Sequence, residues 1–215
     1  MLLTIFATSL FPIIGGPSVG KTSIINELHK EGHVICKESA TDVILEMQSK
    51  GISNPWDMCG FEIIIFDEKL KREEKAFKEA IELGKSSIYI DRGLLDQVVY
   101  LETLNKLDSY DCEYIMNEIK KIDPKTRYKA IFYVEPYQGE NFELSKVSLN
   151  EKGEKLEVRR EDTKEALILS KKLKEVYEKT GLPIYTVPAK MSPKERAEFI
   201  LKKTNEIIEK DKNAS

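Results

Sequence analysis

Eight consecutive residues constrain the fold of this chain more than any other feature. Gly15-Gly16-Pro17-Ser18-Val19-Gly20-Lys21-Thr22 fits the pattern G-x-x-x-x-G-K-[ST], a loop that works only between a buried strand and the start of a helix. Glycines let successive backbone N–H groups curl around an anion without Cβ collisions. The helix that follows turns its positive end toward the same point. Residues 11–14 before the loop form an apolar run of strand type. Residues 21–31 after it place Ile24, Ile25 and Leu28 on one helical face, and Gly32 ends that helix. The required context is therefore present. It predicts that Gly15, Gly16, Pro17, Ser18, Val19, Gly20, Lys21, Thr22 and Ser23 hold the phosphates of ATP or GTP. Lys21 would reach the β- and γ-phosphates, and the Thr22 hydroxyl would reach Mg²⁺.

Strand and helix alternate along the rest of the chain, which predicts an α/β, three-layer P-loop fold on a five-stranded parallel sheet. Residues 33–37 read as the second strand, Ser87–Asp91 as the third, 129–134 as the fourth and 183–187 as the fifth. Helices are predicted over 39–50, 60–83, 94–104 and 112–122. The longest has Phe61, Ile64, Ile65, Phe77, Ala80 and Ile81 as its expected inner face. A last helix is announced by Ser192 as N-cap, Pro193 at the first helical position and Glu195 completing a capping box. Residues 136–162 are polar and charged, and read as a mobile insertion rather than a second core. With 215 residues and no dividing linker, residues 1–215 are expected to form one domain.

Other candidates cluster at the carboxyl ends of the predicted strands, where open parallel sheets place their ligands. Asp91 ends strand three and is suited to holding Mg²⁺ beside Thr22. Arg92 follows it, placed either to grip a phosphate or acceptor bidentately or to form a structural ion pair. Asp96, one turn on, either orients Arg92 or is a solvated helix residue. Glu38, just past strand two, has two readings: a general base that takes a proton from an acceptor hydroxyl, or a cap on the helix starting at Ser39. Trp56 either stacks on an acceptor or anchors its loop to the core. The run Asn105-Lys106-Leu107-Asp108 matches the guanine-reading N-K-x-D, but it lies between two helices with no D-x-x-G before it, so it reads as accidental.

Charge and cysteine usage narrow the partners. A net charge of −3 offers no field for nucleic acid or anionic lipid, so no nucleic-acid partner and no stable membrane insertion are expected. The apolar stretch 1–14 is too short to span a bilayer and lacks a basic start. The three cysteines Cys36, Cys59 and Cys112 are scattered; they read as small buried residues in a reducing compartment, the cytoplasm.

Five segments carry a resemblance: G-G-P-S-V-G-K-T-S, V-I-C-K-E-S-A-T-D-V-I, I-Y-I-D-R-G-L-L-D, V-R-R-E-D and V-P-A-K-M-S-P-K-E-R-A. Over residues 11–205 the chain resembles the small AAA-like P-loop ATPase family, close to the ribosylnicotinamide kinase domain and to thymidylate and deoxynucleoside kinases. The resemblance implies a nucleotide-kinase-like fold in which the insertion is a lid, with Arg159 and Arg160 closing on the transferring phosphoryl group. It also implies Glu38 and Arg92 on the acceptor side, and Pro188 and Ala189 near the nucleotide base. Two departures stand out. Related kinases carry D-R-[YFHS] or E-R-S where this chain has Asp91-Arg92-Gly93, and Ser39 replaces their proline after Glu38. The expected activity is ATP- and Mg²⁺-dependent phosphoryl transfer to a small acceptor, with Lys21, Glu38, Asp91, Arg92, Arg159 and Arg160 carrying it. The alternative is an ATP- or GTP-hydrolysing switch with a protein or lipid partner.

Overall fold

The computed structural model describes residues 8–38, 40–137, 147–149, 155–157 and 163–214. In chain order the elements are β1 (Ser9–Ile14), α1 (Lys21–Lys30), β2 (Val34–Cys36), α2 (Ala40–Ser49), α3 (Phe61–Glu82), β3 (Ser87–Asp91), α4 (Leu95–Thr103) and α5 (Tyr110–Ile122). There follow α6 (Pro124–Arg127), β4 (Ile131–Val134), β5 (Val147–Leu149), β6 (Lys155–Glu157), α7 (Thr163–Glu178), β7 (Ile184–Val187) and α8 (Pro193–Ala214). Five strands form one parallel sheet in the order β2-β3-β1-β4-β7.

Side-chain alternation along the strands sorts the core into two layers. Ile88, Ile90, Ile131 and Tyr133 face Phe66 of α3, Leu101 of α4, Ile115 of α5 and Tyr177 of α7. Phe11, Ile13, Tyr89 and Phe132 face Ile24, Ile25 and Leu28 of α1 and Ala197 and Ile200 of α8. Helices thus cover both faces, as a buried parallel sheet requires.

Pro12 lies inside the central strand, a place that proline's missing N–H ordinarily forbids. The sheet accommodates it through register. Leu10 carbonyl accepts from Lys129 N on the β4 side, whereas Ile13 carbonyl accepts from Arg92 N on the β3 side. By the two-residue alternation, Pro12 also faces β4. There the pairing consists of an isolated Leu10–Tyr128 bridge and then Ile13 and Ile14, so no ladder donor is needed at position 12.

Several expectations are corrected. On α3, Ile64, Phe77 and Ile81 are 39%, 36% and 59% exposed, and the buried stripe is instead Phe61, Glu62, Ile65, Phe66, Lys69, Glu73, Ala76 and Ala80. That stripe keeps the helical spacing but threads charged residues through it. Cys59 is exposed, while Cys36 and Cys112 are buried. Ser9 and Leu10 belong to β1, which begins two residues earlier than its apolar run suggests. Helix α7 was not anticipated at all. Of the stretch 136–162, β5 and β6 pair antiparallel; Arg159 and Arg160, like Ser39 and residues 1–7, lie outside the described residues. Among the described residues, no helix is long and apolar enough to cross a membrane.

Candidate functional site

The phosphate loop leaves β1 at Ile14 and turns where only glycine fits. At Gly15 φ is +147°, and an added Cβ would stand 2.8 Å from Val134 O. At Gly16 an added Cβ would stand 2.6 Å from Ala166 O and 2.9 Å from Ser170 Cβ. All three distances are below what real Cβ atoms show, so the close neighbours dictate these two glycines. Gly20 caps α1 in the left-handed region at φ 93°, and Ser18 shares that region at φ 57°. Gly16 N donates to Ser170 Oγ at 3.2 Å. Lys21 is buried, and its Nζ donates to Gly15 O at 3.0 Å and Gly16 O at 2.8 Å. Burial, and then the nearby Arg92 charge, push Lys21 down from 10.5 to about 8.

The carboxyl end of β3 brings the first candidate metal oxygens beside that loop. Thr22 Oγ1 donates to Asp91 Oδ2 at 3.3 Å. Asp91 is 1% exposed, and its Oδ1 has no hydrogen-bond partner. An orphaned, buried carboxylate oxygen is costly unless a cation or donor meets it. Burial, and then the charge of Glu38, raise Asp91 above the usual carboxylate range, against the pull of Lys21 and Arg92. Lys21 and Asp91 therefore sit with their charged forms disfavoured, a state that a polyanion on one and a cation on the other would relieve together. Among the described residues, no three His, Cys, Asp or Glu side chains form a metal cage. The donor set fits Mg²⁺, which takes one or two protein oxygens and fills its octahedron with water and phosphate.

Arg92 follows in the left-handed region, at φ 65°. Its backbone is held by Lys69 of α3, whose Nζ donates to Asp91 O at 3.2 Å and Arg92 O at 2.7 Å. Its guanidinium donates from Nε to Glu38 Oε1 at 2.7 Å and stacks 5.1 Å from the Tyr100 ring centroid. Burial alone would pull Arg92 down, yet Glu38, Tyr100, Asp96 and Asp91 hold it well above its ordinary value. Asp96 is buried, not solvated. Its Oδ1 accepts from Gly93 N at 3.0 Å and from Tyr177 Oη at 2.8 Å, and its Oδ2 lies 3.7 Å from Arg92 Nη1. Glu38 meets Arg92, while Glu38 O accepts from Arg72, which also donates to Asp42 at 2.7 Å.

Beyond Arg92 a cavity of about 250 Å³ opens, bordered by Pro17 of the phosphate loop, Glu38, Asp91 and Arg92. The wall also holds the aromatic side chains of Trp56, Phe61 and Tyr100. Trp56 anchors its loop by packing against the cluster of Val43, Ile44, Phe61 and Ile65, and it also lines the cavity. Gln97 donates to Glu62 in the same wall.

Pro188 and Ala189 lie after β7 at the same sheet end. Ala189 is tied to the phosphate loop by a residue the sequence reasoning missed. Arg196, on the first turn of α8, donates from Nη1 to Val19 O at 2.7 Å and from Nη2 to Ala189 O at 2.5 Å. One signal was available: an arginine in a helix's first turn runs against the macrodipole, and so implies acceptors waiting for it. Lys69 and Tyr177 were also missed. Lys69 carried a signal in its apolar spacing with Phe66 and Ala76; Tyr177 carried none beyond the same pattern in α7.

A sequence profile described as an AAA domain matches residues 10–196. No curated protein matches the chain in sequence. Among solved structures, the chain is similar to NadR protein in complex with NAD and AMP-PNP, with a TM-score of 0.62 at 12% identity, over 94% of this chain and 49% of that one. It thus spans about half the length of that protein. It is also similar to deoxyadenosine kinase from M. mycoides. With bound dATP the TM-score is 0.53 at 18% identity, over 92% of this chain and 99% of that one. With products dCMP and a flexible dCDP it is 0.58 at 20% identity, over the same shares. At these identities the likeness is one of fold: an α/β, P-loop kinase-like fold on a five-stranded parallel sheet.

Proposed function

The chain belongs to the AAA domain family, and on that premise we propose that it transfers the γ-phosphoryl group of ATP or GTP to the hydroxyl of a small acceptor. One observation carries the reading. A single cavity touches the phosphate loop at Pro17 and holds Asp91, Glu38 and Arg92 on its wall, so donor and acceptor would meet across one gap. A hydrolase needs no space of this size beside its phosphate loop. The solved neighbours point the same way by their ligands: AMP-PNP with NadR, and dATP with deoxyadenosine kinase.

The roles follow from position. Phosphate-loop N–H groups and Lys21 hold the β- and γ-phosphates, for which Nζ exchanges the Gly15 and Gly16 carbonyls. Thr22 and Asp91 would hold Mg²⁺, which supplies charge neutralisation at the phosphates when bound. Glu38, paired with the Arg92 guanidinium at 2.7 Å, accepts the proton of the acceptor hydroxyl. That oxygen forms the new bond to the γ-phosphorus as the bond to the β,γ-bridging oxygen breaks, and the nucleoside diphosphate leaves. Arg92 steadies Glu38 and the transferring group. Arg159 and Arg160, in the insertion read as a lid, are assigned the charge that spreads over the equatorial oxygens. Pro188 and Ala189 are assigned to the base.

A panel of nucleosides and nucleoside monophosphates, assayed for ATP-dependent phosphorylation, tests the reading. Acceptor-dependent ADP release supports it. Hydrolysis that no acceptor in the panel accelerates would sink it and leave the nucleotide-switched hydrolase with a protein or lipid partner.

A further inference from the structure

Position 93 departs from the kinases this chain resembles, which carry a side chain there, and the structure supplies a local cause. A Cβ at Gly93 would stand 2.0 Å from the Tyr177 hydroxyl and 2.9 Å from its Cζ. The phenol fills the space that a side chain at 93 would use. Tyr177 is fully buried. Its hydroxyl accepts from Leu95 N at 3.2 Å and donates to Asp96 Oδ1 at 2.8 Å. Asp96 Oδ1 accepts in turn from Gly93 N, and Asp96 Oδ2 faces Arg92 Nη1. Gly93 to Asp96 is therefore gripped from α7 at both backbone and side chain.

The same helix grips the phosphate loop. Two turns before Tyr177, Ser170 Oγ accepts from Gly16 N and shares a hydrogen bond with Tyr133 Oη at 3.1 Å. Ala166 O is the atom that forbids a Cβ at Gly16. Ala166, Ser170, Leu173 and Tyr177 are buried at spacings of four, three and four, one face of a single helix. From Ser170 to Tyr177 that helix rises about 10 Å. At each end of this span a glycine of the opposing loop makes room for it.

We propose that α7 is a spacer that fixes the phosphate loop relative to the Arg92 loop, with Tyr177 as the positioning residue for Arg92. Glycine at 93 is the counterpart of the Tyr177 phenol. Only the kinetic arm of its test rests on the phosphotransferase reading.

The steric arm needs no substrate. Gly93→Ala is expected to lower Tm by roughly 5–10 °C. In Gly93→Ala/Tyr177→Leu the clash is gone, and the double variant melts no lower than Tyr177→Leu alone. If Gly93→Ala melts with the wild type, or if the two losses simply add, the inference is overturned. Should Gly93→Ala fail to fold, recovery of a folded double variant supports the inference, and failure of that variant while Tyr177→Leu folds overturns it. In the kinetic arm, Tyr177→Phe keeps the ring and removes its hydrogen bonds. It is expected to lower kcat for acceptor phosphorylation by roughly 10- to 100-fold, with AMP-PNP·Mg²⁺ affinity held within about threefold by calorimetry. An unchanged kcat refutes the positioning role. Should the wild type phosphorylate no acceptor, the proposed function fails alone. The Arg92 Nε–H resonance in ¹⁵N spectra then decides: a shift in Tyr177→Phe supports positioning, and an unmoved resonance refutes it.

Discussion

Arg196→Ala removes one side chain that bridges two loops, and its cost follows from the contacts. Arg196 is 8% exposed and donates two charge-assisted hydrogen bonds, to Val19 O and Ala189 O. Such bonds contribute about 1.5–3 kcal/mol each, so about 3–6 kcal/mol in sum. Against this stands the cost of the buried guanidinium, whose Nε has no partner and whose pKa burial lowers; this offsets about 1–2 kcal/mol. A net loss of about 2–4 kcal/mol corresponds to a Tm decrease of roughly 4–16 °C for a chain of this size. Because Val19 lies in the phosphate loop, the variant should also bind AMP-PNP·Mg²⁺ more weakly, by about tenfold for each 1.4 kcal/mol of lost preorganisation. Differential scanning fluorimetry with and without the ligand reads both effects. Arg196→Lys should recover little, because one ammonium cannot reproduce a fork that spans two carbonyls. A variant that melts within about 2 °C of wild type, with an undiminished ligand shift, would refute the bridge.

Lys21 gives a pH signature. Its folded value, about 8, lies below its ordinary 10.5, so the unfolded chain binds more protons between them. Stability of the nucleotide-free protein should therefore gain as pH rises from about 8 toward 10.5, and triphosphate binding above pH 8 should take up a proton. Calorimetry at pH 8.5 in buffers of different ionisation enthalpy measures that uptake, and a value of zero contradicts it. Glu38→Gln should lower acceptor phosphorylation by roughly 10²–10⁴-fold while AMP-PNP affinity stays nearly level; a turnover close to wild type would remove Glu38 as the base. Ser192→Ala breaks a reciprocal capping box, Glu195 N to Ser192 Oγ at 3.3 Å and Ser192 N to Glu195 Oε2 at 2.7 Å. It should cost about 1 kcal/mol without touching nucleotide affinity, and lost affinity would show that the cap shapes the phosphate loop.

The parts legible in the sequence were those whose signals are local. The phosphate loop fixes its own strand and helix, so β1 and α1 fell into place around Gly15–Thr22. Ser87–Asp91 was bounded correctly because an apolar run ends abruptly in an acid and an arginine. The α8 cap was readable from Ser192, Pro193 and Glu195 alone. What failed depended on partners far away in the chain. Glu38 meets Arg92 through a contact across 54 positions, and Asp96 is buried against Tyr177, which lies 81 positions on. Cys59 shows the limit of composition: a residue type that prefers the interior still sits where its loop puts it. Helix α7 had helical spacing in Ala166, Leu169, Leu173 and Tyr177, but that stripe follows a charged insertion and is interrupted by the polar Ser170 that touches Gly16.

The error on α3 reveals what the site demands. A stripe reading Phe66, Lys69, Glu73, Ala76 places two charges among apolar neighbours, and burying them costs several kcal/mol that a hydrophobic pair would not. Glu73 is 0% exposed, yet fully engaged: Tyr128 Oη donates to it at 3.1 Å, Arg127 Nε at 2.8 Å, and Lys69 Nζ stands 3.6 Å away. Lys69 spends its remaining donors on the carbonyls of Asp91 and Arg92, and Tyr128 Oη accepts from Leu94 N. These groups therefore hold a backbone as well as each other. Arg92 sits at φ 65°, where a non-glycine residue costs about 1–2 kcal/mol, and β3 alone has no means of keeping it there. Once the bend is held from α3 below and from α7 beside it, Arg92 is delivered to Glu38 at the cavity wall. The buried charges of α3 thus brace the bend after Asp91 that delivers Arg92 to the cavity wall.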